Sequence, residues 1–148
     1  MQNEKDLIGI WKLISYEVEI KETGEFFYPL GKNPTGFICL TDNNHVMVTL
    51  TGEGREPSSD NEGSSELLNS LVSYAGTYHI EGDEWITNVQ VAWKPDWVNT
   101  EQRRKFEIKD NRLRVLTTWR LMPNWADKGL QRSILTFVKP NNSQIDPQ

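Results

Sequence analysis

Gly9-Ile10-Trp11, running into the alternating stretch Lys12 to Lys21, decides the fold. By the two-residue period of a strand, Ile14, Tyr16, Val18 and Ile20 share one face, while Leu13 and Ser15 share the face of Trp11. A long strand that is apolar on both sides has to bend. Nearly everything after it reads as further short alternating strands, and about 8–10 antiparallel strands that close on themselves lose their edges and enclose room for one small molecule. A tryptophan at the head of such a chain plugs the barrel floor and leaves a cup.

Outward from that strand, Glu4 to Ile10 reads as a short helical turn, with Leu7, Ile8 and Ile10 covering the closed end. Thr23-Gly24 is a turn, Glu25 to Tyr28 a strand stopped by Pro29, and Leu30 to Gly36 a loop. Phe37 to Thr41 and Val46 to Thr51 form a hairpin about Asp42-Asn43-Asn44-His45. Residues 52–65 are a polar loop, and Leu67, Leu68, Leu71 and Val72 predict a helix over Glu66 to Ser73 behind Ser64 and Ser65 as caps, either a flap over the mouth or a helix packed on the wall. Strands follow at Tyr74 to Ile80, Trp85 to Trp93, Thr100 to Lys109, Arg112 to Trp119 and Leu130 to Lys139. The pattern does not decide which face of residues 85–93 points inward. Leu113, Val115, Thr117 and Trp119 are expected inward, as are Ser133, Leu135 and Phe137. One domain over residues 1–140 and a disordered tail over 141–148 are expected.

Composition excludes several function classes. A net charge of −5 disfavours phosphate-backbone binding, so no nucleic-acid partner is expected. No stretch approaches membrane-spanning length and the first residues lack an apolar signal core, which predicts a cytoplasmic protein without membrane insertion. The single Cys39 excludes an internal disulfide and reads as a buried, inert thiol. His45 and His79 lie far apart in the strand plan, so no metal is expected, and no nucleotide fingerprint is present, so no cofactor is expected.

The chemistry-bearing residues cluster on one strand. Gln102 and Arg104 share a face with Phe106 and Ile108, opposite the charged row Glu101, Arg103, Lys105, Glu107 and Lys109. A buried guanidinium needs a partner. Two placements satisfy it: a ligand carboxylate, enolate or phenolate held by the planar donor fork, or a structural seat over the Trp11 ring. Tyr74, Tyr78 and Asn88 add hydroxyl and amide groups, and a Tyr78 beside Arg104 would be a candidate proton carrier. Trp93, Thr117, Trp119 and Leu135 join Phe106 as walls for a ligand.

Four segments together resemble the lipocalin-like domain family of small bacterial and fungal proteins. They are Leu7 to Ser15, Tyr28-Pro29-Leu30-Gly31 with Pro34 and Gly36, Tyr74 to Tyr78, and Pro95-Asp96-Trp97 leading into Thr100 to Phe106. The resemblance spans nearly the whole chain and implies an all-β, antiparallel up-and-down lipocalin-like barrel of the calycin type, often encoded beside secondary-metabolism genes. It supplies a fold, not a reaction. Members commonly carry a histidine where this chain has Asn88, whereas Gln102, Arg104 and Tyr78 keep the family pattern. The expectation is therefore a barrel that binds a small apolar or aromatic molecule bearing a carbonyl or oxyanion. The alternative is a cofactor-independent isomerase, cyclase or hydratase in which Arg104 and Tyr78 are catalytic. A structural or partner-binding domain would need a filled interior and an exposed patch, for which Trp85 or Trp97 qualifies; a homodimer is the expected assembly.

Overall fold

The computed structural model describes residues 4–121 and 127–140. A 3-10 turn at Glu4–Leu7 leads into β1 (Gly9–Ile20), followed by β2 (Phe26–Phe27), β3 (Thr35–Leu40) and β4 (His45–Thr51). Helix α1 (Asn61–Asn69) precedes β5 (Leu71–Glu81) and β6 (Glu84–Ala92), and a second 3-10 turn at Pro95–Trp97 precedes β7 (Glu101–Lys109), β8 (Arg112–Leu116) and β9 (Gln131–Val138). Every strand pairs antiparallel with its neighbour in the order β1-β3-β4-β5-β6-β7-β8-β9, and β9 returns to β1. The sheet is thus an eight-stranded closed barrel, with β2 added to β1 at Val18 and Glu19 beyond the reach of β3. Among the described residues no helix is long and apolar enough to cross a membrane. The expected tail over 141–148 lies outside the described residues.

β1 resolves its two apolar faces by a bulge. Leu13 stands opposite Phe137 and Ser15 opposite Thr136, so β1 carries one residue more than β9 between these pairs. The extra residue inverts the alternation. Trp11 and Leu13 are buried before it, Tyr16 and Val18 after it. The floor is closed as the sequence suggests: Leu7 is fully buried, and the Trp11 indole donates to the Leu7 carbonyl at 2.9 Å. Ile10, expected on that floor, instead points out and is 52% exposed, because it alternates with Trp11.

Other expectations shift. The helix begins earlier than the leucine spacing suggests, because Asp60 rather than Ser64 or Ser65 caps it, accepting from the Gly63 N–H at 2.6 Å. It ends at Asn69, so Leu71 and Val72 belong to β5, where they pair with Thr51 and Leu50. No residue of the helix is buried. Cys39 is half-buried on the outer face between inward Ile38 and Leu40, not sealed in the core. Trp85 is buried and Trp97 stacks on Trp93 and Tyr74, so neither forms an exposed patch. The apolar outer row is instead Ile10, Cys39, Met47, Ala75 and Val91, which stand opposite one another in register across five strands.

The ambiguous strand β6 settles with Trp85, Thr87 and Val89 buried and Asn88 and Gln90 exposed. A second bulge follows: Ala75 pairs with Val91 but Gly76 with Val89, leaving Gln90 as the extra residue and turning Val91 outward. The β6 backbone presses on Gly76 at this point. A Cβ on Gly76 would overlap the Asn88 carbonyl oxygen and lie 2.9 Å from its carbon. Gly76→Ala is therefore expected to lose about 2–3 kcal/mol in urea denaturation, as overpacking against backbone does. Gly82→Ala, where only the left-handed turn (φ 64°) opposes a side chain, should lose about 1 kcal/mol.

Candidate functional site

The barrel encloses a cavity of ≈ 120 Å³ above the Trp11 floor. Ile38, Val48, Trp85, Val115 and Leu135 line its deeper part, while Leu71, Lys94, Asp96 and Trp97 stand at its mouth with Asn69, the last residue of α1. Leu30, Leu50, Val72, Tyr16, Tyr74, Trp93, Thr117, Ser133, Arg104 and Arg120 complete the wall. The mouth is tied together by polar contacts: Lys94 Nζ donates to Asn69 Oδ1 at 3.3 Å, and Arg55 reaches the α1 C-terminus through Ser70 Oγ (2.9 Å) and the Leu67 carbonyl (2.8 Å).

Arg104 comes to the cavity because β7 alternates without interruption. Gln102, Arg104, Phe106 and Ile108 all face inward, with Phe106 buried in the core. Of the two placements open to the guanidinium, the structure gives the Trp11 ring to another cation. Lys139 Nζ sits 5.1 Å from the Trp11 ring and donates to the Ile8 carbonyl at 3.5 Å, while Arg104 lines the cavity. A relay holds it there. Thr100 Oγ1 donates to the Trp97 carbonyl (2.6 Å), Gln102 Nε2 donates to Thr100 Oγ1 (2.9 Å), and Gln102 Oε1 accepts from Arg104 NH2 (3.1 Å). Because the amide nitrogen is used on Thr100, its oxygen faces the guanidinium. Arg104 NH1 donates to the Arg103 carbonyl at 2.9 Å. Gln102 is thus a positioning residue and does not line the cavity itself.

The second guanidinium, Arg120, was not anticipated. On a continuous β8 it would share the outward parity of Arg112 and Arg114, but the strand ends at Leu116. Thr117 bonds to Ser133 and Arg120 to Gln131, so three steps on one side match two on the other and Arg120 turns inward. The Thr-Thr-Trp-Arg sequence at 117–120 carries no turn residue to mark this, so only the pairing reveals it. Burial first, and the Arg104 charge second, pull the Arg120 pKa down to about 10, against smaller opposing effects of Tyr16 and Tyr74. Arg120 remains cationic at neutral pH. Neither Arg104 nor Arg120 forms an ion pair among the described residues. Asp96 at the rim is the one carboxylate on the wall, beyond 4 Å of either guanidinium. Burial raises the Tyr74 pKa, opposed by the two arginines, so its phenol stays protonated. The Tyr16 and Ser133 hydroxyls share a hydrogen bond at 3.3 Å.

Of the residues the sequence singles out, Tyr74, Trp93, Arg104, Thr117 and Leu135 meet on the cavity wall. The others do not. Tyr78 is buried at the closed end, its hydroxyl donating to the Thr41 carbonyl at 3.0 Å, and does not line the cavity with Arg104. Asn88 is exposed on the outer face of β6, because Thr87 and Val89 take the inner one. Trp119 is half-buried under Arg132 (4.7 Å to the ring centroid) and Lys21 (5.6 Å), since the parity change at 117–120 removes it from the inner row. Among the described residues no group of three His, Cys, Asp or Glu side chains converges.

A closed eight-stranded antiparallel barrel with a lined internal cavity defines a class of lipocalin-like barrels and is consistent with small-molecule binding. Within it, residues 8–140 match the lipocalin-like domain family, and the chain belongs to that family. Among solved structures, the chain is similar to a mutant of the fluorescent protein UnaG, at 15% identity and a TM-score of 0.42, covering 93% of this chain and 98% of that one. No curated protein matches.

Removing one of two facing cations relieves both burial and repulsion. Arg120→Met is expected to stabilise the empty protein by about 1 kcal/mol in urea denaturation. The sign with pH follows from the depressed folded-state value: the penalty of the charged group is fully present below pH about 10 and fades as pH rises from there towards the ordinary arginine value. The gap between variant and parent should thus be constant from about pH 6 to 9 and shrink above about 10.

Proposed function

We propose that this protein binds a small, largely apolar or aromatic molecule carrying an anionic oxygen group, and that Arg104 and Arg120 receive that group. The observation that supports the reading most is the pair of guanidiniums on the wall of one apolar cavity, neither having a carboxylate partner among the described residues. Two like charges so placed are unfavourable in the empty barrel, and a carboxylate or enolate between them reverses the sign of the interaction. An engineered cavity of about 150 Å³ holds benzene, so ≈ 120 Å³ suits one ring with its substituents reaching the mouth. Trp85, Trp93, Tyr74 and Leu135 offer the flat apolar surface such a ring needs. The isomerase alternative loses its proton carrier, because Tyr78 faces Thr41 rather than the cavity. We therefore read the site as a holder of its ligand, with Gln102 fixing the direction of Arg104.

Calorimetric titration separates charge recognition from shape. Benzoate should bind, and benzamide, equal in shape but uncharged, should bind at least about tenfold more weakly. Arg104→Met and Arg120→Met should each weaken benzoate by about 30-fold or more, the usual scale for removing one partner of a desolvated charged contact. Equal affinity for the acid and the amide, or unchanged binding in both variants, would falsify the reading. Native mass spectrometry of protein from its own host should then show a bound acid that Arg104→Met no longer retains.

A further inference from the structure

Residues of the cavity wall carry buried donors that find no acceptor among the described residues. Among the described residues, the buried Nε1–H groups of Trp85 and Trp93 and the Nε–H of Arg120 have no hydrogen-bond partner, and all three residues line the same cavity. The chain does not neglect indoles in general, since Trp11 at the floor is bonded to Leu7. An unsatisfied buried donor is unfavourable by about 1–3 kcal/mol. An indole N–H can only donate, so whatever satisfies it must bring a lone pair.

The acceptors that the wall does carry, among them the Asp96 carboxylate, the Asn69 amide oxygen and the Tyr74 hydroxyl, do not bond to these donors. Arg104, Arg120 and Lys94 are donors. The Tyr16 and Ser133 hydroxyls are engaged with each other, and Thr117 Oγ1 donates to the Thr118 carbonyl while accepting from the Ser133 N–H at 2.8 Å. Trp85 stands directly opposite Arg104 across the β6–β7 ladder, so its indole and the guanidinium rise from neighbouring points of one face, whereas Trp93 stands nearer the mouth beside Trp97. One indole donor is therefore carried beside a group that receives the anion, and the other lies nearer the mouth.

Resting on the anion-binding reading above, we propose that Trp85 and Trp93 form a second polar subsite, and that the ligand class is an aromatic acid with an additional acceptor lacking a proton of its own. A ring ketone, an ether oxygen or a ring nitrogen fits this description. A hydroxyl is less favoured beside Trp85, because its own hydrogen would face the neighbouring Arg104 guanidinium, which only donates. The cavity thus selects oxidised or alkylated aromatic acids over their phenolic or purely hydrocarbon counterparts.

The experiment uses matched probes on the whole protein: 3- and 4-acetylbenzoate, each against the isopropylbenzoate of the same shape. At least one acetyl acid should bind about tenfold tighter than its isopropyl twin and move the Trp85 or Trp93 indole N–H resonance downfield in the ¹⁵N–¹H spectrum. Trp85→Phe or Trp93→Phe should erase that preference, bringing the ratio of acetyl to isopropyl affinity to about one whatever the change in overall affinity; where a variant fails to fold, the spectrum of the parent protein decides. Equal binding of the twins with unmoved indole resonances overturns the second subsite but leaves the anion site standing. Binding of none of the four acids overturns the anion site itself and this inference with it.

Discussion

The alternation of side chains in a closed sheet is the constraint on which this molecule depends. In a barrel every strand has one wet face and one enclosed face, and a single inserted residue exchanges them for everything beyond it. This chain makes that exchange after Leu13 in β1, at Gln90 in β6, and between Thr117 and Arg120 beyond β8. The first puts Tyr16 on the cavity wall, the second turns Val91 out at the mouth, and the third brings Arg120 in. Gly76 permits the second, since only a residue without Cβ tolerates the approach of the Asn88 carbonyl.

On the proposed reading, electrostatics accounts for the third of these inversions. Bringing Arg120 within the field of Arg104 is unfavourable for the empty fold, and neither charge is compensated within the described chain. Arrangements of this kind persist when the missing countercharge arrives from outside. The hydrogen-bond relay from Trp97 through Thr100 and Gln102 makes sense in the same terms. It restrains the guanidinium of Arg104 without neutralising it, which leaves the charge available and the side-chain entropy already spent. Lys139 completes the division of labour by covering Trp11, so that the floor does not draw on Arg104.

How much of this was legible follows from the physics of each element. The barrel, its floor and the inward row of β7 could be read because uninterrupted alternation needs no knowledge of partners. The inward placement of Arg104, Tyr74, Leu135 and Thr117 was legible in this way. Arg120 was not, because its orientation depends on a count of residues against β9, and sequence spacing carries no such count. Asn88 and Trp119 were misplaced for the related reason that β6 is apolar on both faces near Trp85–Ile86 and that parity fails beyond Leu116. The helix was drawn to Leu71 and Val72 by their spacing, yet the ladder with β4 claims both. Tertiary pairing outweighed local periodicity.

The mouth and the barrel are stabilised by different forces. Below the mouth, eight strands share a continuous hydrogen-bonded ladder around fully buried Trp11, Leu13, Leu40, Leu50 and Phe137, so that opening any part of it exposes much of the core. Helix α1 has no buried residue and is held by Arg55 at its C-terminus and by Lys94 on Asn69. Exposed hydrogen bonds of this type are worth about 1 kcal/mol each or less, which ranks the helix among the least stable units of the fold. On the proposed reading, specificity therefore resides in the wall, where Arg104 is fixed by a relay, and not in the cover. On the proposed reading, a ligand passes the weakly held rim while Arg104 and Trp85 keep their paired places in the β6–β7 ladder.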